Sequence, residues 1–415
     1  MVSSDVIKKE VMMSGRSEKV KSNSFVPKRF ASPFSPLHLS STTTMDLEVL
    51  EHRLVARNIG AYESFLEEHH GIVDEDQWKL VSSKDELKAY AEHQRASDAP
   101  RVYQHETPAV HVPIILITGT IKGNLDDLMY GLACTTTEQG RINFSYVNDD
   151  VPRSCVLATL TPPSDDNPFT SFCIKWVELV VPLAIRPIVK HRDFVYMETM
   201  GFERLRNGER VGYHIVHSVQ FPETPVLDTH FRGNCSISMF YHQRASNRID
   251  VYVKGFFNPA GGIMRAIVIK LAARTLLCVA KHVYCGQMKK LAWALKRRQS
   301  GDLSSSDSES TGRSSNDSAD DRHCCGCRKK QSVLVQAVLK TNPGTKLLQK
   351  KRHCKICTRY LCLECRRQHQ LSFMLPDQRL SQILVTICES CEIDALSVAA
   401  GTISQEEMLY YKTIA

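Results

Sequence analysis

The stretch RHCKICTRYLCLEC, residues 352–365, contains two Cys-x-x-Cys pairs separated by four residues. Further pairs precede and follow it, so the C-terminal region holds eight cysteines in four pairs: Cys324/Cys327, Cys354/Cys357, Cys362/Cys365 and Cys388/Cys391. Two cysteines spaced in this way supply two thiolates to one Zn²⁺ from a tight turn, and two pairs complete a tetrahedral site. The four pairs therefore predict two structural zinc ions.

Disulfides are the competing interpretation of these cysteines, and they require an oxidising compartment. The N-terminal segment MVSSDVIKKEVMMSGRSEKVK lacks the apolar core of a signal peptide, and no apolar run is long enough to span a bilayer. We therefore expect a reduced, cytoplasmic chain in which the pairs bind zinc. Cys325 lies between the first two ligands and is left out of the set.

The formal net charge of +8 is concentrated around the same cysteines. Residues 323–396 contain thirteen Lys or Arg and five Asp or Glu, which accounts for the whole excess. Eight thiolates and two Zn²⁺ together remove about half of this charge. The remainder favours an anionic partner such as a membrane surface. Nucleic acid is not expected, because the region lacks aromatic positions for base stacking.

Composition and periodicity divide the 415 residues into five segments. Ser/Thr/Pro-rich and Ser/Asp-rich stretches without apolar periodicity predict a disordered leader and a solvated linker. The predicted segments are a leader (1–45), a larger domain (46–298, core about 75–298), a linker (299–322), a zinc finger (323–396) and a C-terminal tail (397–415).

Within the larger domain, helical spacing of apolar residues predicts a helix over 45–68, a short helix at NLDDLMYGLACT and a long helix from 263 to about 295. Strand-like runs occur at 112–121, 154–160, 172–180, 192–199, 210–219, 234–242 and 248–256. Short, turn-rich connections predict an antiparallel sheet, and so an α+β fold.

Alternation along these strands selects residues that share a face, and such a face lines either a solid core or a cavity. The apolar candidates for a cavity are Ile237, Met239, Val251 and Val253. Arg192, Tyr213 and His217 are candidate polar groups, with Asp193 and His214 also considered. Each has an alternative role as an ordinary surface or hydrogen-bonded sheet residue.

The order of elements, with the segments Ile174-Lys-Trp176, His191-Arg-Asp-Phe194, His217-Ser-Val219 and Val251-Tyr-Val-Lys-Gly255, resembles a START domain. The resemblance implies a helix-grip fold in which a curved antiparallel sheet and a long C-terminal helix enclose one lipid. It also implies that the loop Phe221–Leu227 helps to close the tunnel. No enzymatic role is expected, because adjacent residues such as His217 and Ser218 point to opposite faces and cannot form a catalytic relay.

Among two-zinc cross-brace fingers, RING and PHD fingers use a histidine ligand, whereas this pattern has cysteines only. The basic run Lys350-Lys-Arg-His-Cys-Lys355, preceded by Leu347 and Leu348, resembles a FYVE finger. The resemblance implies that the first and third cysteine pairs hold one zinc and the second and fourth pairs the other.

The FYVE resemblance also implies a lipid contact. Its phosphoinositide-binding residues are Lys350, Lys351, Arg352, His353 and Lys355, and Leu347 and Leu348 insert into the bilayer. The chain differs from the family in lacking Trp-x-x-Asp before the first cysteine and in having Thr386 where the family has arginine.

The sequence thus predicts a non-enzymatic lipid-binding protein held on endosomal membrane as a peripheral protein by a phosphoinositide-binding finger. The alternative is an interaction adaptor whose larger domain has a filled core and whose finger binds a protein partner.

Overall fold

The computed structural model describes residues 30–93, 112–148, 151–179, 190–299, 323–331 and 352–414. Residues 1–29 of the predicted leader and 300–322 of the predicted linker therefore lie outside the described residues, whereas residues 30–45 of the leader are described. The chain divides into two compact units. The larger unit contains Phe30–Gly286 and Glu407–Ala415, and the smaller unit contains Gln287–Glu406.

A ten-stranded, almost entirely antiparallel sheet dominates the larger unit. Its strands are β1 (Trp78–Lys84), β2 (Leu87–Glu92), β3 (Ile114–Ile121), β4 (Arg153–Thr161), β5 (Ser171–Glu178), β6 (His191–Arg204), β7 (Arg210–Ser218), β8 (His230–Arg232), β9 (Asn234–Ala245) and β10 (Arg248–Asn258). The spatial order is β1-β2-β3-β10-β9-β7-β6-β5-β4, and β8 pairs in parallel with the start of β6.

The helices are α1 (Ser41–Glu67), α2 (Leu125–Leu132), α3 (Thr137–Val147), α4 (Arg265–Leu276) and α5 (His282–Gln299), with a 3-10 turn at Leu277–Lys281. The predicted long C-terminal helix is thus two α-helices joined by a 3-10 turn. Sequence analysis did not identify β1, β2, β8 or α3. β8 is only three residues long, and so gives no readable alternation.

Helix α1 covers one face of the sheet, called here the α1 face. The hydroxyl of Ser40 caps the helix by accepting from the Thr43 amide at 3.1 Å. Val55 and Tyr62 of α1 pack in one cluster with the sheet residues Leu116, Val211, Tyr213, Ile215, Phe240 and Tyr252. A second cluster places Leu47 of α1 with Ile174, Trp176, Val195 and Met197.

The other side of the sheet, away from α1 and called here the opposite face, is buried as well. Helix α2 contacts it. A Cβ added to Gly212 of β7 would lie 2.8 Å from the sulfur of Met129 in α2. Helix α2 in turn meets α5 backbone to backbone: a Cβ on Gly131 would lie 2.0 Å from the carbonyl oxygen of His282, and one on Gly286 would lie 2.0 Å from that of Asp127. Only glycine permits so close a crossing.

Around its cysteines, the smaller unit contains a hairpin of β11 (Arg367–Met374) and β12 (Leu380–Ile387), followed by α6 (Glu389–Ser397). Between Cys324 and Cys391, the large apolar side chains that are buried among the described residues are few: Tyr360, Leu361, Leu371, Phe373, Val385 and Ile387. The residues predicted as a C-terminal tail form helix α7 (Ala400–Ile414). Among the helices described, none is long and apolar enough to cross a membrane.

Candidate functional site

Two groups of four cysteines bring their sulfur atoms together in the smaller unit. Cys324, Cys327, Cys362 and Cys365 form one group, and Cys354, Cys357, Cys388 and Cys391 form the other. Within each group, all ligand atoms lie within 4.8 Å of one another. The groups therefore take alternate pairs along the sequence.

The first two Cys-x-x-Cys pairs have the same backbone geometry. In each turn the first cysteine's carbonyl accepts a bond from the residue four positions on, which is Arg328 in one turn and Thr358 in the other. Both of these residues have φ of 61°. Isolated β-bridges, His323 to Lys330 and His353 to Tyr360, close the two turns. The repeated geometry shows that one local structure positions both pairs.

The sulfur spacing fits a tetrahedral zinc site. With a Zn–S distance of about 2.3 Å, two tetrahedral ligands lie about 3.8 Å apart. The Cys327 and Cys362 sulfurs are 3.6 Å apart, and those of Cys357 and Cys388 are 3.8 Å apart. Each group offers four thiolates and so matches a closed structural site, which would hold the turns, β12 and α6 together.

Backbone N–H groups point at the sulfurs, as thiolates require. The sulfur of Cys354 lies 3.4 Å from the amide nitrogens of Ile356, Cys357 and Cys388. At Cys324, burial opposes the thiolate, but N–H groups from Cys362, Cys327 and Gly326 lower its pKa to about 6.

The basic run is described only from Arg352 onward, so Leu347, Leu348, Lys350 and Lys351 lie outside the described residues. Arg352 and His353 lead into the second turn, and the amide of Lys355 donates to the Thr386 carbonyl at 2.9 Å. Thr386, at the position where the FYVE family has arginine, is thus buried beside the run.

Arg366 is a further cation of this region that sequence analysis missed. Its guanidinium donates to the carbonyl of Leu361, whose amide donates to the Arg352 carbonyl. Burial lowers the pKa of Arg366, and the nearby positive charge of Arg352 lowers it further. The fold therefore links Arg366 to Arg352 through Leu361 and adds a second arginine to the basic run, and arginine side chains suit an anion.

In the larger unit, the four apolar cavity candidates share the opposite face of the sheet. Met239 pairs with Val253, and Val251 with Tyr241. Ile237 lies on the same side because it is two residues from Met239. All four candidates are buried.

The three polar candidates, Tyr213, His217 and Arg192, do not all lie on this face of the sheet. Tyr213 packs under α1. His217 pairs with Met197, which also lies under α1. The Nδ1 atom of His217 lies 2.9 Å from the hydroxyl of Ser236. Both therefore belong to the α1 face. Alternation puts Arg192 on the opposite face, where its guanidinium lies 5.6 Å from the ring centroid of Phe231.

The structure brings a different polar group to the apolar row: Lys175, Glu198 and His214. The Lys175 ammonium lies 2.8 Å from one Glu198 oxygen, and His214 Nε2 lies 3.0 Å from the other. His214 pairs with Met239 across β7 and β9, so the group shares the opposite face. Lys175 and Glu198 had not been singled out from the sequence.

The Lys175–Glu198 pair of this group keeps its charges. Burial disfavours a carboxylate, but the Lys175 ammonium and the bond from His214 outweigh it and lower the pKa of Glu198 to about 2. A charged pair of this kind in an apolar surrounding is costly unless its geometry is favourable. It gives the opposite face one fixed polar point among aliphatic side chains.

A separate, open cleft of about 320 Å³ lies at the start of α2. Most of the residues that line it are polar or charged: Asn124, Asp126, Glu209, Arg210, His242 and Gln243. The apolar row does not line this cleft.

The sequence matches no protein-family model and no curated protein. Similar solved structures are StAR-related lipid transfer proteins. Human STARD10 is 14% identical, with a TM-score of 0.39, covering 58% of this chain and 82% of that one. Human StAR-related lipid transfer protein 5 is 13% identical, with a TM-score of 0.36, covering 57% of this chain and 98% of that one. A STAR-related lipid transfer protein fragment from Xanthomonas axonopodis is 17% identical, with a TM-score of 0.35, covering 50% of this chain and 99% of that one.

Proposed function

We propose that the larger unit binds one lipid against the opposite face of its sheet. The observation that carries the proposal is the Lys175–Glu198–His214 group beside Ile237, Met239, Val251 and Val253. Binding sites for amphipathic molecules are mostly apolar, with a few fixed polar groups that orient the ligand. An acyl chain or ring system would lie along the aliphatic row, and the polar end would face the charged group.

Bulky substitutions on the two faces of the sheet should separate ligand exclusion from simple overpacking. We expect Ile237→Trp and Val251→Trp to abolish lipid uptake, because each adds volume on the opposite face. Ile215→Trp is the matched control, because it overpacks the α1 face instead. It should lower the free energy of unfolding by a similar amount, roughly 1–3 kcal/mol, without blocking lipid uptake. The full chain would be incubated with a cellular lipid extract, and bound lipid counted by native mass spectrometry.

The adaptor alternative makes a distinct prediction for the same experiment. If the parent protein never carries lipid and all three tryptophan variants merely melt earlier, the interior is a solid core and lipid binding is wrong.

We further propose that the finger holds two structural zinc ions in a FYVE-like cross-brace and docks on phosphoinositide-bearing endosomal membrane. The support is the Cys₄ geometry together with Arg352, His353, Lys355 and Arg366 around the second turn. Clustered cations each contribute about 1 kcal/mol next to an anionic bilayer. No enzymatic step is part of this proposal.

Charge removal should test the docking surface directly. Replacing Lys350, Lys351 and Arg352 with Ala should weaken binding to liposomes containing phosphatidylinositol 3-phosphate about a hundredfold at low salt, since roughly 3 kcal/mol is lost. Replacing exposed Arg53, Lys79 and Lys88 removes the same charge and should have little effect. Replacing Leu347 and Leu348 with Ser should mainly speed dissociation. Equal sedimentation of the parent and the basic-run variant at every salt concentration would instead favour a protein-binding finger.

A further inference from the structure

A third cluster of metal-ligand side chains, which contains no cysteine, lies in the larger unit. It consists of Glu178, the last residue of β5; His191, the first of β6; and His230, the first of β8. His191 and His230 are direct partners in the parallel β6–β8 pair. Sheet pairing therefore fixes the three side chains at one end of neighbouring strands.

The donor atoms of these three residues lie close enough together to bind one metal ion. Nδ1 of His191 lies 2.8 Å from one Glu178 oxygen, Nε2 of His230 lies 3.5 Å from the other, and one ligand atom from each residue falls within 4.8 Å of the others. Donors about 2.1 Å from a tetrahedral Zn²⁺ are about 3.4 Å apart. Small side-chain rotations would bring all three to that spacing.

The two imidazole nitrogens are buried and form no hydrogen bonds. Each is within ion-pair distance of a Glu178 oxygen, yet neither meets hydrogen-bond geometry. His230 is only 6% exposed at its side chain, and Glu178 9%. Burying such nitrogens without a hydrogen bond is costly, and a bound cation would remove the cost.

The surroundings of His230 also suit a ligand. Its other nitrogen, Nδ1, lies 2.9 Å from the hydroxyl of Thr229, which fixes the orientation of the ring. Metal-binding histidines are commonly held in this way through the second nitrogen. Two imidazoles and a carboxylate favour zinc or a neighbouring transition metal over Ca²⁺ or Mg²⁺, and leave coordination positions open.

Arg153 forms an ion pair with the Glu178 carboxylate, the group that would also bind a metal ion. Its Nη1 lies 2.8 Å from Glu178 Oε2, and the side chain is 53% exposed. The guanidinium also lies 5.8 Å from the Trp176 ring centroid, so an apolar surface is available to it when it leaves the carboxylate. Arg153 thus competes with a metal for Glu178.

We propose that Glu178, His191 and His230 form a third metal site, which binds one Zn²⁺ with two nitrogen ligands and one carboxylate. The site is independent of the two Cys₄ groups and of lipid binding.

Metal counting on the full chain tests this site. Purified protein would be equilibrated with a zinc buffer at submicromolar free Zn²⁺ and analysed by mass spectrometry for zinc per chain. Glu178→Gln and His230→Ala should each hold one zinc fewer than the parent. His52→Ala, which removes an exposed histidine next to Glu51, should match the parent. The test compares zinc content between variants, so its result does not depend on whether both cysteine groups are filled with zinc.

The Arg153→Gln variant distinguishes a metal site from a purely structural cluster. Removing the competing cation should tighten zinc binding at this site several-fold, whereas loss of a structural ion pair alone would leave zinc affinity unchanged. His191→Ala, at the more exposed ligand, guards against misfolding of the His230 variant. Equal zinc content in the parent, Glu178→Gln and His191→Ala proteins would overturn the proposal.

Discussion

Removing zinc with a high-affinity chelator is expected to unfold the finger while leaving the sheet of the larger unit intact. Structural zinc in small fingers contributes about 10–16 kcal/mol of folding free energy. The few buried apolar side chains around β11 and β12 cannot replace that contribution. Hydrogen exchange under reducing conditions should therefore show rapid exchange of Leu371–Phe373 and Val385–Ile387, and continued protection of β9 and β10.

Single cysteine variants sharpen this prediction. Cys354→Ser removes a buried sulfur that faces three backbone N–H groups, so it should lose about one zinc and much of the hairpin's protection. Cys325→Ser is the matched control: it changes a neighbouring cysteine outside both groups and should keep the parent's zinc content. A chelated protein whose hairpin stays protected would contradict the structural role of the metal.

Replacing Glu198 with Gln is expected to destabilise the larger unit by about 3–5 kcal/mol, because the Lys175 ammonium is then buried without its carboxylate. Replacing the pair together, as Lys175→Met with Glu198→Leu, should be far milder, since both charges disappear. Hydrogen exchange of β5, β6 and β7 measures both effects. Similar losses in the single and double variants would show that the pair is not coupled.

The effect of Glu198→Gln should also depend on pH. The folded pKa of Glu198 is about 2, below its ordinary value of 4.5. The carboxylate therefore stabilises the fold fully above about pH 4.5, and this contribution is lost as the pH falls toward 2. Glutamine does not titrate, so the gap in stability between parent and variant should narrow over the same range.

Cysteine spacing determined the candidate zinc ligands from the sequence alone, because a Cys-x-x-Cys turn is a local structure that needs no distant partner. The runs that became β3, β7, β9 and β10 were also recognisable, since each carries several apolar residues in a short run. The hydroxyl and asparagine caps of α1 and α2 are local signals of the same kind.

Tertiary structure decided which side chains meet. Strands β5 and β6 are buried on both faces, so their sequences show no alternation that would tell one face from the other. Strand register placed Tyr213 and His217 under α1, and gathered Lys175, Glu198 and His214 beside the apolar row. The same long-range pairing set His191 next to His230, thirty-nine residues away. Such neighbours depend on how distant strands align, which no local pattern in the chain records.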